Sequence, residues 1–459
     1  MRDNSYNCLA VAHPAISREF FLLIAGLYAD QPGTIILYSG NTSDAAASSY
    51  LGIGLLEAYT LQREKITHQT PLGKHVLERE GNPWQFLDSH LSLDGSNTPG
   101  WFGYFSYEMG GCSDRDKELK LPIPAHPLCY FQRCRVVLEV NHLTNQGIIY
   151  YQMEEAEAVE ALLQALNSKM AAARAKPQPN ICFESCSDTP EGFIAKIKQA
   201  KEHIANGEIY QVNLSQEFLF KGKVDAFSLF LEIVQENPAP FSAFLNTAHG
   251  CIISSSPERF ISAKAGRLQT RPIKGTAPRA ADAVMDHAHK QTLLQSSKER
   301  AELAMITDLM RNDLGRVSKA GTVRVIEAAR CEAYTNVFHL LSIVEGEARE
   351  ELSPLQIIRE CFPGGSITGC PKLRAMEIIA ALEQRPRYIY TGAIGHIRNS
   401  GDFDFNIAIR TLFTAGEYLR VSLGSGIVYD SDPEKEYEET LHKGQTIFRK
   451  LGSYAHCIP

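Results

Sequence analysis

The chain has 459 residues, 44% of them hydrophobic and 22% charged, with a formal net charge of -7 and a pI near 6.1. This balance excludes a chain built as a basic nucleic-acid surface or an anionic-membrane surface, and the length asks for two domains or one large two-lobed one. Eleven cysteines lack C-x-x-C spacing and cannot all pair within one chain, which points to a reduced, cytoplasmic setting.

The apolar run at 20–29 is too short to span a bilayer and lacks a basic segment before it, so it reads as a buried helix. Residues 33–38 read as a strand, followed by a polar loop at 39–49. The aromatic, glycine-rich stretch 102–111 reads as a strand and turn, and 128–138 and 147–152 as two further strands. A helix rich in Ala, Glu and Leu covers 154–175 and ends at Lys176-Pro177-Gln178-Pro179, a linker signal. This divides the chain into an N-terminal lobe, 1–176, and a second region, 188–459.

The second region opens with Asp188 as a helix cap, Pro190 in the first turn and Glu191 completing the capping pattern. Phe193, Ile194, Ile197, Ala200 and Ile204 recur at helical spacing, and Asn206-Gly207 ends that helix. A strand at 209–220 and a helix at 225–236 follow. Strands and helices alternate without a βαβ beat, so the fold class is α+β with much antiparallel sheet.

Candidate chemistry starts at T-R-P-I-K-G-T, 270–276. Pro272 and Gly275 cramp Lys274, whose amine is a nucleophile only when neutral. Burial, or a cation such as Arg271 or Arg279, would lower its pKa from about 10.4. The alternative at this point is a strand-edge lysine in an ion pair. Glu258, after Ser256-Pro257 and beside Arg259, is a candidate proton donor or an ion-paired glutamate.

Two acidic helices are expected, at 297–313 and 433–450. Glu299 and Glu302 share one face of the first, beside an apolar stripe of Leu303, Ile306 and Met310. Glu436, Glu439 and Lys443 share one face of the second, with Tyr437, Leu441 and Phe448 on another. Such carboxylates can clamp a hard cation such as Mg2+, or can be ordinary solvated faces. The run P-G-G-S-I-T-G, 363–369, ahead of Pro371, Lys372 and Arg374, offers amides at a helix N-terminus for an anion. Arg410, read as lying inside a β-like run, can bind a carboxylate bidentately, and L-G-S-G-I at 423–427 offers further amides. His339 sits among apolar neighbours, where core and catalytic roles are both open.

Taken together and in order, S-P-E-R-F (256–260), P-I-K-G-T (272–276), D-L-M-R-N-D-L-G-R (308–316), P-G-G-S-I-T-G-C-P-K (363–372), I-R-T (409–411) and G-S-G-I-V (424–428) resemble the chorismate-utilising enzymes. The resemblance is dense over 188–450 and thinner in the N-terminal part, through Tyr38-Ser39-Gly40 and G-Y-F-S-Y-E at 103–108. It implies two facing, largely antiparallel β-sheets flanked by helices, with the active site in a central cleft. Family members that form anthranilate carry alanine where this chain has Lys274. Lysine there implies amination of chorismate at C4, on the route to 4-aminobenzoate and folate, with anthranilate or isochorismate formation as the alternative.

The resemblance further implies Lys274 as nucleophile and Glu258 as proton donor. It implies Mg2+ held by Glu302 and Glu439 with Glu299 and Glu436 near its waters, and a substrate site of His339, Ser366, Tyr390, Arg410, Gly424, Gly426 and Lys443. Ammonia would come from a separate glutaminase subunit. Some family members hold tryptophan in a pocket between the lobes, a region that Ser39, Ser49, Pro240, Phe241 and Ser242 match. Here the loop before Ser49 is one residue longer and Tyr50 stands where a related enzyme has arginine. Cys370, His396 and Phe405 are further departures from the family pattern.

Overall fold

The computed structural model describes residues 7–11, 18–40, 46–78, 81–114, 117–168 and 180–452. Its strands, in chain order, are β1 (Asn7–Val11), β2 (Ile35–Tyr38), β3 (Ser48–Leu61), β4 (Lys65–Thr70), β5 (Gly73–Glu78), β6 (Pro99–Phe105), β7 (Cys129–Asn141), β8 (Gln146–Tyr151), β9 (Asn180–Cys186), β10 (Gln211–Lys223), β11 (Phe241–Thr247), β12 (Gly250–Ser256), β13 (Arg259–Lys264), β14 (Arg267–Arg271), β15 (Ile273–Pro278), β16 (Arg324–Ala333), β17 (Val337–Glu347), β18 (Gly369–Cys370), β19 (Ala393–Arg398), β20 (Phe403–Asn406), β21 (Thr411–Ala415) and β22 (Tyr418–Ile427). The α-helices are α1 (Arg18–Tyr28), α2 (Pro83–His90), α3 (Ala156–Ser168), α4 (Pro190–Ala205), α5 (Ala226–Glu236), α6 (Ala283–Gln295), α7 (Ser297–Val317), α8 (Pro354–Cys361), α9 (Lys372–Glu383) and α10 (Pro433–Lys450).

Every pairing between strands is antiparallel, and β3 and β7 bend the network into two sheets. The N-terminal half of β3 pairs with β2 and its C-terminal half with β4, either side of a register shift between Leu55 and Glu57. One sheet therefore runs β1-β8-β7-β3-β2-β11-β12-β21-β22-β10-β9. The other runs β5-β4-β3-β7-β6-β19-β20-β13-β14-β17-β16, with β15 following β14 along β17. Strands from both regions of the chain pair with each other, as in β2–β11 and β6–β19. The linker at 176–179 lies outside the described residues.

Burial shows that the sheets face one another. Ile35, Tyr50, Ala243, Ile252 and Phe413 of the first pack with Phe102, Tyr104, Tyr130 and Ile394 of the second. Helices cover the outer faces: α1, α3, α5 and α10 on the first sheet, α2, α7 and α8 on the second. The chain passes between the sheets twice in adjacent places. One passage joins β12 to β13 through Ser256-Pro257-Glu258, the other joins β20 to β21 through 407–410. They are hydrogen-bonded to each other, Ile407 N to Glu258 O at 3.0 Å and Ser255 N to Arg410 O at 3.1 Å.

Some sequence expectations need correction. Thr189, not Asp188, caps α4, because its hydroxyl accepts from Gly192 N at 3.1 Å. Asp188 instead pairs with Lys196. The first acidic helix continues to Val317, where Leu314 and Val317 extend its buried stripe. Phe405 is fully buried against Phe105 and Phe131, a core residue far from solvent.

Phe413 lies between the sheets with its ring 4.8 Å from Tyr388 and 4.4 Å from His126. Phe413→Ala is expected to cost about 3–5 kcal/mol of stability, and Phe413→Leu less than about 1.5. The relative shifts of the urea midpoints of the two variants check this.

Candidate active site

Lys274 stands on β15, opposite Leu340 of β17. Gly275 after it is the extra residue of a β-bulge, with φ +76°, and a Cβ there would lie 3.0 Å from both Glu299 Oε2 and Leu293 Cδ1. Only glycine meets both demands, and the bulge brings Lys274 in under α7. Burial lowers the Lys274 pKa, and Lys443 lowers it further against Glu302, Glu258 and Glu439. The lowering cation is therefore Lys443. Arg271 and Arg279, the sequence candidates, are held by Glu332 and Asp286 instead.

Glu258 sits in the first passage between the sheets, and its backbone there leaves it 5% exposed. Burial pushes its carboxyl up to about 7, although the Ser366 hydroxyl, Lys274, the Ile273 backbone and Lys443 oppose this. The Ser366 hydroxyl donates to Glu258 Oε1 at 2.8 Å. A carboxyl raised to about 7 can give up a proton near neutral pH, and lowering a lysine's pKa moves its amine toward the neutral form that a nucleophile needs.

Arg410 occupies the second passage. It lies just before β21, not inside a strand, and its φ of +51° is a left-handed conformation. No carboxylate pairs with its side chain among the described residues, and burial disfavours its charge with only the Tyr334 hydroxyl opposing. A guanidinium held this way can take a carboxylate. His339 lies beside it, 2% exposed, on β17 opposite Thr276. Burial and then Arg410 push its pKa down to about 3, so the ring is neutral. Its Nδ1 meets Thr276 Oγ1 at 3.0 Å, and its Nε2 has no partner among the described residues.

Gly424 and Gly426 lie on one face of β22. A Cβ at Gly426 would sit 3.2 Å from both Lys274 Nζ and Gln211 Nε2. At Gly424 it would sit 2.6 Å from Tyr390 Oη and 2.8 Å from Asn213 Oδ1. The two glycines thus leave room for a lysine amine, a tyrosine hydroxyl and two amides. Lys443 donates to Gly424 O at 3.1 Å and pairs with Glu439 at 2.7 Å. Gln211 and Asn213 escaped the sequence reading. Gln211 is fully buried with both amide atoms unpartnered, and Asn213 Oδ1 is likewise unpartnered. Their signal was the polar alternation Q-V-N-L-S at the start of β10, opposite the glycines. Buried amides without a protein partner leave hydrogen-bonding capacity facing this space.

Burial raises the Glu302 carboxyl, and Glu299 and Glu436 raise it further, so negative charge on α7 and α10 is only partly offset by Lys274. Glu436 is buried, not on a solvated face. It accepts from Ser431 at 2.7 Å and from Ser425. For Glu439, burial is outweighed by Lys443 and Ser425, which hold it below the usual range. An all-oxygen set of this kind fits a hard divalent cation that brings its own waters. Among the described residues no three His, Cys, Asp or Glu side chains converge as a closed metal cage.

The anion cradle expected at 363–372 is built differently. Lys372 is spent on Asp313 at 2.8 Å and on Cys361 O, and Arg374 on Glu208 and Glu377. Gly369 and Cys370 pair with β10, so the segment's task is to present Ser366. Pro240, Phe241 and Ser242 line a separate cavity of about 680 Å³ between the sheets, with Tyr38, Tyr50 and His396. Ser39 and Ser49 are buried and bonded to each other, Ser39 N to Ser49 Oγ at 3.0 Å. Tyr50 donates to Glu139, which also holds Arg398 at 3.0 Å. No helix of the described residues is long and apolar enough to cross a membrane.

A family model described as chorismate binding enzyme matches residues 36–449. Aminodeoxychorismate synthase component 1 of Escherichia coli K12 is 46% identical over 263 residues, covering 57% of this chain and 58% of that protein. The chain thus spans less than two thirds of that relative. The protein of the same name from Bacillus subtilis 168 is 34% identical over 396 residues, covering 83% of this chain and 84% of its own. Among solved structures, anthranilate synthase component I from Streptococcus pneumoniae superposes with a TM-score of 0.72 at 28% identity, covering 88% of this chain and 93% of that one.

The raised carboxyl of Glu258 has a thermodynamic cost of definite sign. Its pKa is about 7 in the folded chain against 4.5 ordinarily, so the folded state holds the proton more tightly and stability falls as pH rises from about 4.5 to 7. Glu258→Gln removes that loss. The variant is expected to be more stable than the wild type at pH 8, by on the order of 2 kcal/mol, and nearly equal at pH 4. Urea titrations at the two pH values check it.

Proposed function

The chain belongs to the chorismate binding enzyme family, and we propose that within it this protein aminates chorismate at C4 to give 4-amino-4-deoxychorismate, as an aminodeoxychorismate synthase component I. The observation that carries the reading is Lys274, a lysine of lowered pKa beside a buried glutamic acid, at the place where the family resemblance implies alanine in anthranilate-forming members.

In the proposed reaction the neutral Lys274 amine forms a bond to C2 of chorismate as the ring double bond shifts. The C4 hydroxyl leaves as water, taking the Glu258 proton. Ammonia then bonds to C4, the double bond returns, and the C2–N bond breaks to free Lys274. Glu258, now a carboxylate, takes the proton that the new C4 ammonium gives up. Chorismate and ammonia thus become the amino product and water, and one hard displacement is split in two.

Arg410, Tyr390 and the amides near Gly424 and Gly426 take the substrate carboxylates, with neutral His339 and Lys443 along the same wall. Ser366 sets Glu258, and the unpartnered Gln211 amide lines the same floor beside Lys274. Mg2+, held by Glu302 and Glu439 with Glu299 and Glu436 at its waters, would neutralise the ring carboxylate. Ammonia comes from a glutaminase subunit, in keeping with the "component 1" of the relatives' names. The cavity at Pro240, Phe241 and Ser242 has room for a tryptophan-type ligand, and the cysteine pattern supports a cytoplasmic setting.

Purified chain given chorismate, ammonium and Mg2+ should yield 4-aminobenzoate once a lyase that removes pyruvate is added. Direct appearance of fluorescent anthranilate would sink the reading. With ammonia withheld, intact mass should show a chorismate-derived adduct on the wild type and none on Lys274→Ala, whose amination rate should fall at least about 10²-fold. Chelation of divalent cations should abolish turnover and Mg2+ restore it. Glu302→Gln should raise the Mg2+ needed by about tenfold or more, read from the metal dependence of chorismate affinity by calorimetry.

A further inference from the structure

Beneath the site lies a charge that the reaction does not use. Arg387, 2% exposed, sits in the loop between α9 and β19. Three non-glycine residues of that loop, Gln384, Tyr388 and Thr391, have φ between +53° and +61°. Such a loop holds its shape only if its surroundings over-determine it. Arg387 supplies much of that constraint. Its guanidinium forks onto Glu383, Nε to Oε2 at 3.0 Å and Nη2 to Oε1 at 2.6 Å. It also donates to Asn213 O at 2.6 Å and to Ile367 O at 3.1 Å. Its Cζ lies 4.8 Å from the Tyr107 ring centre and 5.9 Å from that of Tyr390. Glu108, buried, holds the loop from the other side, accepting from Arg387 N at 2.7 Å and Tyr388 N at 3.2 Å.

Each contact leads to a different part of the site. Ile367 follows Ser366, whose hydroxyl bonds Glu258. Asn213 carries the unpartnered amide oxygen that faces Gly424. Tyr390 hangs over the same glycine. We propose that Arg387 is the positioning residue of this site: its guanidinium holds the 365–367 turn against β10 and Tyr390, and so sets the Ser366 hydroxyl on the carboxyl of Glu258. Lysine could keep the charge but not the planar fork that reaches three separate acceptors. The inference rests on the functional reading above.

The Ser366 hydrogen bond favours the ionised carboxylate of Glu258, as do Lys274, Lys443 and the Ile273 backbone. Displacing Ser366 alone therefore moves the pH at which Glu258 loses its proton upward. The test follows the rate of adduct formation on the full chain without ammonia, across pH, by quenched intact-mass measurement. Arg387→Lys should shift the alkaline limb up by about half a unit or more, Ser366→Ala should do the same, and the double variant should add nothing. Tyr107→Leu removes only the ring above the guanidinium, since the Tyr107 hydroxyl is unpartnered among the described residues. It should give a smaller shift in the same direction, and it decides the matter if Arg387→Lys does not fold. A limb that stays put in these variants while the rate falls equally at every pH overturns the inference, leaving Arg387 a core ion pair. A wild type that gives neither adduct nor aminated product removes the functional reading and this inference with it.

Discussion

Desolvation of opposite charges in one small space governs this protein. Glu258 and Lys274 are each pushed by burial toward the neutral form, the carboxyl up to about 7 and the amine down from its usual value. Each also favours the other's charged form, so neither shift runs to completion. That balance sets a carboxyl of raised pKa beside an amine of lowered pKa, a pairing that bulk water would not produce. Lys443 tilts the balance further for the amine, and its own charge is offset by Glu439.

The fold produces this space through its topology. Glu258 and Arg410 both lie where the chain leaves one sheet for the other, and the two passages brace each other by backbone hydrogen bonds. Residues in such passages are not bound to strand alternation, so Arg410 can adopt a left-handed backbone and keep its guanidinium free of carboxylates of the described residues. Lys274 arrives from the second sheet by way of the Gly275 bulge, and the two glycines of β22 clear the floor from the first sheet. The site is therefore a product of both sheets at once, as its tolerance for only small residues at 424 and 426 shows.

Much of this was legible in advance. The helix at 433–450 has the bounds expected from the sequence, where Pro433 in the first turn is a strong local start signal. Leu303, Ile306 and Met310 were read as a buried stripe from their spacing. The errors have physical causes. For Glu436 the spacing leaves a cation clamp and a solvated face both open, and two serines draw it into the interior. Arg271 was given the role of Lys443, because nearness in sequence stood in for nearness in space. Lys372 and Arg374 looked like anion binders only because Asp313 and Glu208, distant in sequence, were not visible as their partners.

The sequence by itself determined the class of fold, the apolar stripes of the amphipathic helices and, through an ordered set of motifs, the family. These are local or patterned properties, carried by periodicity, caps and residue type. Only the tertiary structure decided which cation faces Lys274, that burial raises the Glu258 carboxyl to about 7, that Arg410 has no carboxylate partner among the described residues, and that Gln211 and Asn213 face Gly426 and Gly424 while Arg387 braces Asn213 and Ile367. Those are properties of burial and of pairing across long stretches of chain. A residue's charge state follows from what surrounds it, and the surroundings exist only once the sheets have closed.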